Sequence, residues 1–185
     1  MRGEPSSPTG RPPSSAPEPD LYGRLIALLE EHGARYRLID HQPEGRTEIV
    51  SVMRGHELHQ AAKCIVLMVK VGKRVTRYVL AVVPGDVRVD FAAVRAVTDA
   101  TYVAFASADV AERLAGSVPG TVLPFALDPA LDLIVDPAVL ASPELYFNAA
   151  RLDRSMALNT DDYVVIAAPR IAPIAAVAPP ATAQE

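Results

Sequence analysis

Two β-branched runs, KCIVLMVKV at residues 63–71 and RVTRYVLAVV at residues 74–83, flank Gly72-Lys73. Long apolar runs on either side of a two-residue turn that opens with glycine spell a β-hairpin, the strongest constraint on the fold that this chain carries. An antiparallel pair is therefore expected at the heart of a sheet.

The flanking segments supply its neighbours. Asp20 caps a helix in which Leu21, Leu25, Leu28 and Leu29 form one apolar stripe, and Gly33 sits where a left-handed helix end belongs. A strand is expected from Ala34 to Asp40. The segment HQPEGRTEIVSVMRGHELHQAAK, broken by Pro43, Gly45 and Gly55, reads as a loop with two short helical pieces, one starting near Thr47. After Pro84-Gly85-Asp86 come a capped helix from Asp90 to Val97, a strand from Tyr102 to Phe105, and a helix from Ser107 to Ala115 that stops at Gly116. LDLIVD, ELYFNAA and SMALN read as further strands, and a short helix begins at Thr160. Hairpins mixed with short helices define an α+β domain with a central mixed, largely antiparallel β-sheet flanked by short helices.

Proline sets the expected limits of that domain. Six of the 17 prolines fall in residues 1–19 and four in residues 169–185. The first stretch is expected to be a disordered Pro/Ser-rich leader and the last a disordered Ala/Pro-rich tail, leaving residues 20–168 as one domain with one core. Half the residues are hydrophobic, which excludes disorder of the whole chain. A net charge of −4 excludes a broad nucleic-acid footprint. The lone Cys64, in an apolar run, is expected to be a buried, inert thiol. With no secretion signal and no long apolar stretch, the chain is expected to be cytoplasmic, with no membrane contact.

Several chemistries lack their motifs. There is no GxGxxG after a strand and no GxxxxGK[ST]. His32, His41, His56 and His59 fall close together in sequence but not at HExxH spacing, and no cysteine joins them, so no metal and no cofactor is expected. No GxSxG places Ser107, Ser117, Ser142 or Ser155 in a nucleophile elbow. What remains is positive charge and glycine. Between Glu57 and Asp86 there is no acidic residue, yet Lys63, Lys70, Lys73, Arg74 and Arg77 lie there, as either a solvated hairpin face or a phosphate-contacting patch. Lys63 opens an apolar strand, where an ammonium either snorkels to water or serves as a point charge in a cleft. The loop Gly116-Ser117-Val118-Pro119-Gly120 is either a plain helix stop or a source of free backbone N–H groups.

Taken with their flanks, these features resemble the YbaK/prolyl-tRNA synthetase editing-domain superfamily. The likeness runs from LYGRLIALLEEHGARYRLIDH through His41, Pro43, Thr47 and Glu48 to Lys63 in AAKCIVLMV, then PGD and the run from Ala106 to Gly116. The loop GSVPGTVLPF resembles the family pattern at Gly116, Gly120 and Pro124, with Thr121 in place of a second glycine. Asp136 matches the family's aspartate after its strand. Asn148 stands where the Cys-tRNA deacylase branch has serine, Ala149 and Ala150 replace two glycines, and Ser155 replaces an aspartate. These departures argue against that branch.

The resemblance implies a freestanding aminoacyl-tRNA deacylase that hydrolyses the ester of mischarged tRNA without metal or covalent intermediate. It implies Lys63 and Gly120 as catalytic residues and Ile49, Gly116, Val118, Asn148, Ser155 and His41 as substrate-binding ones. The expected substrate carries a small amino acid such as Ala, Ser or Thr, with the Asn148 amide reading a hydroxyl. The expected partner is the acceptor 3′ end of mischarged tRNA, met through the basic hairpin, with an aminoacyl-tRNA synthetase as a candidate second partner. The competing expectation is a non-catalytic module that binds an aminoacyl-like ligand, a tRNA end or a protein.

Overall fold

The computed structural model describes residues 20–176. The expected leader at 1–19, and that part of the expected tail at 177–185, lie outside the described residues. Eight strands and five helices follow one another as α1 (Leu21–Glu31), β1 (Tyr36–Asp40), α2 (Thr47–Arg54), β2 (Ala62–Val71), β3 (Val75–Pro84), α3 (Phe91–Thr98), β4 (Tyr102–Phe105), α4 (Ala108–Ala115), β5 (Leu131–Val135), β6 (Glu144–Asn148), β7 (Arg154–Asn159), α5 (Thr160–Ala167) and β8 (Arg170–Ile171). The α+β class and the mixed sheet are as expected from sequence.

The hairpin is the centre of the fold. β2 and β3 pair antiparallel from Ala62↔Pro84 to Val71↔Val75, so the connection is three residues, Gly72 to Arg74, rather than two. Gly72 takes φ +61°, which a side chain would resist. β4 adds antiparallel to the outer edge of β2, while β5 joins β3 and β8 joins β5 in parallel, giving the order β4-β2-β3-β5-β8. β1, β7 and β6 form a separate antiparallel sheet of three strands. The sheet expected as one is thus two, joined at an isolated parallel bridge between Ala61 and Tyr146.

The alternation of the hairpin strands explains two cores. Val66, Leu80 and Val82 face a cluster with Leu25 and Leu29 of α1, Phe147, Met156, Leu158 and Tyr163. Leu67, Val69, Val79, Ala81 and Val83 face the other way, onto Val94 of α3 and Ile174. At about 1.5–3 kcal/mol for each large side chain buried, these clusters dominate over the exposed ion pairs such as Arg35–Asp162 and Arg37–Glu144.

Helix ends follow the sequence signals. Asp20 accepts the Gly23 N–H at 2.8 Å, and Asp90 accepts from Ala92 and Ala93. Ser107 occupies the cap position of α4, but its side chain makes no cap bond.

The chain past Ala168, by contrast, corrects the expected limit at 168. Pro169 and the alanines suggest a tail, yet β8 extends the large sheet, and Ala172 and Ile174 are buried. The physical reason is Asp136. Its buried carboxylate accepts the N–H groups of Ile174 (2.8 Å) and Ala175 (2.7 Å) as well as that of Ala138 (2.9 Å). Residues 169–176 therefore belong to the domain. Among the described residues no helix is long and apolar enough to cross a membrane.

Candidate active site

A cavity of about 190 Å³ opens beside the isolated Ala61–Tyr146 bridge that joins the two sheets. Thr47, Val50 and Arg54 of α2 form one wall, Lys63 of β2 and Asn148 of β6 two others, and Gly120 the lip. Positions 47, 50 and 54 recur at i, i+3 and i+7, so one helical face points inward.

Lys63 donates from Nζ to the Gly85 carbonyl at 3.1 Å. An ammonium has three donors, so two remain for a ligand. Burial pushes Lys63 below the ordinary lysine value, against the opposing pull of Glu48 and Asp86. The turn it holds is packed tightly, for a Cβ on Gly85 would come within 2.5 Å of the Leu58 carbonyl oxygen.

Gly120 earns its place by close approach. Val118-Pro119-Gly120-Thr121 is a type II turn, with Gly120 at φ +85° and the Thr121 N–H donating to the Val118 carbonyl at 3.1 Å. A Cβ on Gly120 would lie 2.7 Å from Cα of Gly45, so two loops cross backbone on backbone. Thr121, where the family pattern has glycine, is buried and closes the turn, its hydroxyl donating to Val118 at 2.8 Å.

Asn148 ties these loops together. Its Nδ2 donates to the carbonyls of Gly120 (2.8 Å) and Glu44 (2.9 Å). Its Oδ1 accepts from Arg54 Nη2 at 2.7 Å and from the Ser155 hydroxyl at 2.9 Å. All four hydrogen-bonding positions of the amide are therefore taken, and it cannot read a substrate hydroxyl as the sequence suggested. Ser155 is fully buried, accepts from Arg54 Nε at 2.7 Å and is hydrogen-bonded to His41 Nε2. It and His41 brace the wall from behind.

Arg54 is what sequence reasoning missed. Its guanidinium has no carboxylate partner among the described residues, and burial pushes it down to about 10. The helical spacing from Thr47 was the available signal.

Of the expected site residues, Lys63, Gly120 and Asn148 line the cavity, with Ser155 and His41 behind it. Three do not line it. Gly116 ends α4 at φ +67°, on the surface. Val118 is 51% exposed because the type II turn aims Gly120, not Val118, inward. On α2 it is Val50 rather than Ile49 that faces the cavity. The basic hairpin is also misplaced for the expected role. From Lys63 to Val71 β2 rises about 26 Å, at 3.3 Å per residue, so Lys73 and Arg74 stand at the far end of the strand. Burial pushes the Cys64 thiol up, so it stays protonated. No three His, Cys, Asp or Glu among the described residues could hold a metal ion.

A small cavity lined by two cations and a backbone turn, with no carboxylate in its wall, suits an acyl group whose carbonyl oxygen gains negative charge. Fold and cavity together thus define an α+β domain with a cavity suited to an acyl group. The model of the aminoacyl-tRNA editing domain matches residues 41–166, and the chain belongs to that family. It is 38% identical over 149 residues to the multifunctional Ser/Thr-tRNA deacylase ProXp-y of Escherichia coli strain K12, covering 80% of this chain and 89% of the relative. The counterpart from Escherichia coli O157:H7 matches equally. The fold is shared with the crystal structure of a hypothetical protein, APE2540 (TM-score 0.74, 20% identity, 83% of this chain and 99% of that one). It is also shared with a candidate trans-editing enzyme for prolyl tRNA synthetase (TM-score 0.71, 19% identity, 89% and 100%).

Proposed function

We propose that the protein is a trans-editing deacylase that hydrolyses the ester between a small amino acid, of the Ala, Ser or Thr kind, and the 3′-terminal adenosine of a mischarged tRNA. The observation that carries this reading is Lys63, a half-buried ammonium with two free donors at the mouth of a small acyl-sized cavity. The family and the Ser/Thr-tRNA deacylase relative support the substrate class.

In this reading the side chain of the amino acid enters the cavity and its ester carbonyl meets Lys63. Water, oriented by the free hydroxyl of the substrate's own ribose, attacks the carbonyl carbon and gives up a proton. Negative charge builds on the carbonyl oxygen, where the ammonium stabilises it, and collapse breaks the bond to the ribose oxygen, which takes a proton. The wall supplies no activated nucleophile, since the Cys64 thiol is protonated, so positioning and electrostatics carry the rate. With Asn148 saturated, Thr47 becomes the group that reads a substrate hydroxyl. It lines the cavity, and its own hydroxyl has no hydrogen bond among the described residues. A hydroxyl-reading site discriminates far better than size alone, which is worth about 1–3 kcal/mol per methylene.

The test is a deacylation panel over Ala-, Ser-, Thr- and Leu-charged tRNA. Release of the small residues is expected, with Lys63→Ala losing about 100-fold in kcat/KM at an unchanged circular dichroism spectrum. Slow hydrolysis of all esters alike, indifferent to Lys63, would sink the proposal. A synthetase partner belongs to the same proposal and is tested by co-purification with the chain.

A further inference from the structure

Lys63 belongs to two hollows. Beside the acyl pocket it borders a second one of about 380 Å³, together with Ile65, Arg88, Val89, Phe91 and Phe105. The walls of this second hollow are largely apolar. Phe105, the last residue of β4, is 63% exposed, and Phe91 meets it edge to face with ring centroids 5.0 Å apart. The exposed ring is therefore braced by a neighbour. Arg88 is exposed and makes no ion pair among the described residues.

We propose that this hollow holds the terminal nucleotide of the tRNA, with the base packed on Phe105 and Phe91 and its phosphate held by Arg88. This rests on the deacylase reading. The ester at Lys63 is carried by the ribose of that nucleotide, so the base has to lie beside the acyl pocket, and the hollow that shares Lys63 with it lies there. A hollow lined by two aromatic rings and two cations matches a base with its phosphate better than an apolar protein surface, which would gain nothing from Lys63 and Arg88. Stacking also asks for no hydrogen-bond pattern, which suits a nucleotide common to all tRNAs.

Phe105 is exposed, so Phe105→Ala is expected to fold. On seryl-tRNA it should lose about tenfold or more in kcat/KM, mostly through KM, and Phe105→Tyr should restore most of it. On seryl ethyl ester, which has no base, the loss should stay within about twofold. Titration of the wild-type protein with adenosine 5′-monophosphate should shift the NMR signals of Arg88, Phe91 and Phe105. Three results each overturn the proposal: unchanged kcat/KM of Phe105→Ala on seryl-tRNA, an equal loss on both substrates, or no nucleotide-induced shift at these residues. A Phe105-dependent dimer or synthetase complex with intact deacylation would assign the hollow to a protein and overturn it as well. If the wild type cleaves no ester, the deacylase reading fails, and the nucleotide titration alone decides the hollow: shifts at these residues uphold it and their lack removes it.

Discussion

Gly120 and Gly45 touch backbone to backbone, and a methyl group on Gly120 has no space to occupy, since its nearest neighbours are main-chain atoms 2.7–2.8 Å away. Gly120→Ala should therefore push the two loops apart, cost more than about 1 kcal/mol of stability because φ is also positive, and lose most deacylation. Thermal denaturation and kcat/KM of the one variant check both parts. Lys63 makes a different prediction, of pH. Its charge is needed at the carbonyl oxygen, and burial lowers the pH at which that charge is lost, with Arg88 adding to the fall and Glu48 and Asp86 resisting it. Activity, corrected for spontaneous ester hydrolysis, should drop on an alkaline limb below the ordinary lysine value of 10.5. Lys63→Arg should remove that limb even if it slows the reaction, and a limb that stays in place would show that another group titrates. Lys63 and Gly120 were legible in sequence only through the resemblance, since a lysine opening an apolar strand and a glycine loop after a helix each have a plain structural reading as well. The saturation of Asn148 was not, because it depends on the Glu44 and Gly120 carbonyls and on Arg54 converging from distant parts of the chain.

At the scale of elements, alternation and capping carried almost everything. β2, β3, α3 and α4 lie within a residue or two of where their patterns place them. What local pattern cannot carry is which strands pair at a distance, and so the division into two sheets stayed hidden. β8 is two residues long, too short for any periodicity, and proline beside alanine reads as tail. Its place depends on one buried side chain, Asp136, which holds the backbone of residues 174 and 175. Asp136→Ala leaves three N–H groups without their charged acceptor and should cost about 2–4 kcal/mol. Amide exchange gives a sharper readout than stability alone. Protection should be lost first at Ile174 and Ala175, while the β2–β3 ladder keeps most of its own. Loss spread evenly over the molecule would mean that Asp136 supports the whole core rather than the C-terminal segment.

For the whole molecule, the question is how a chain of net charge −4 engages a polyanion. A broad basic face would make binding steeply salt-dependent, but many of the cations among the described residues lie far from the cavity or are spent on carboxylates. Lys73 and Arg74 sit at the hairpin tip, about 26 Å from the cavity along β2. Arg35, Arg37, Arg46, Arg151 and Arg154 are already paired with carboxylates. Arg54 lines the cavity but is bound to Asn148 and Ser155, and Lys63 faces the ester carbonyl, which leaves Arg88 beside the pocket for a phosphate, so the tRNA is expected to be held at its tip by about one phosphate contact. For single-stranded nucleic acid the slope of log K against log salt is about −0.7 per phosphate neutralised. Raising salt from 50 to 200 mM should then lower kcat/KM on mischarged tRNA about 2.6-fold, where six to ten contacts would lower it by a factor on the order of 10³ to 10⁵. Arg88→Ala should remove most of the slope, whereas neutralising Lys73 and Arg74 together should leave it alone. A slope several times steeper that flattens when Lys73 and Arg74 are removed would mean that the acceptor arm lies along the hairpin after all, and that the cavity is the end of a much longer binding surface.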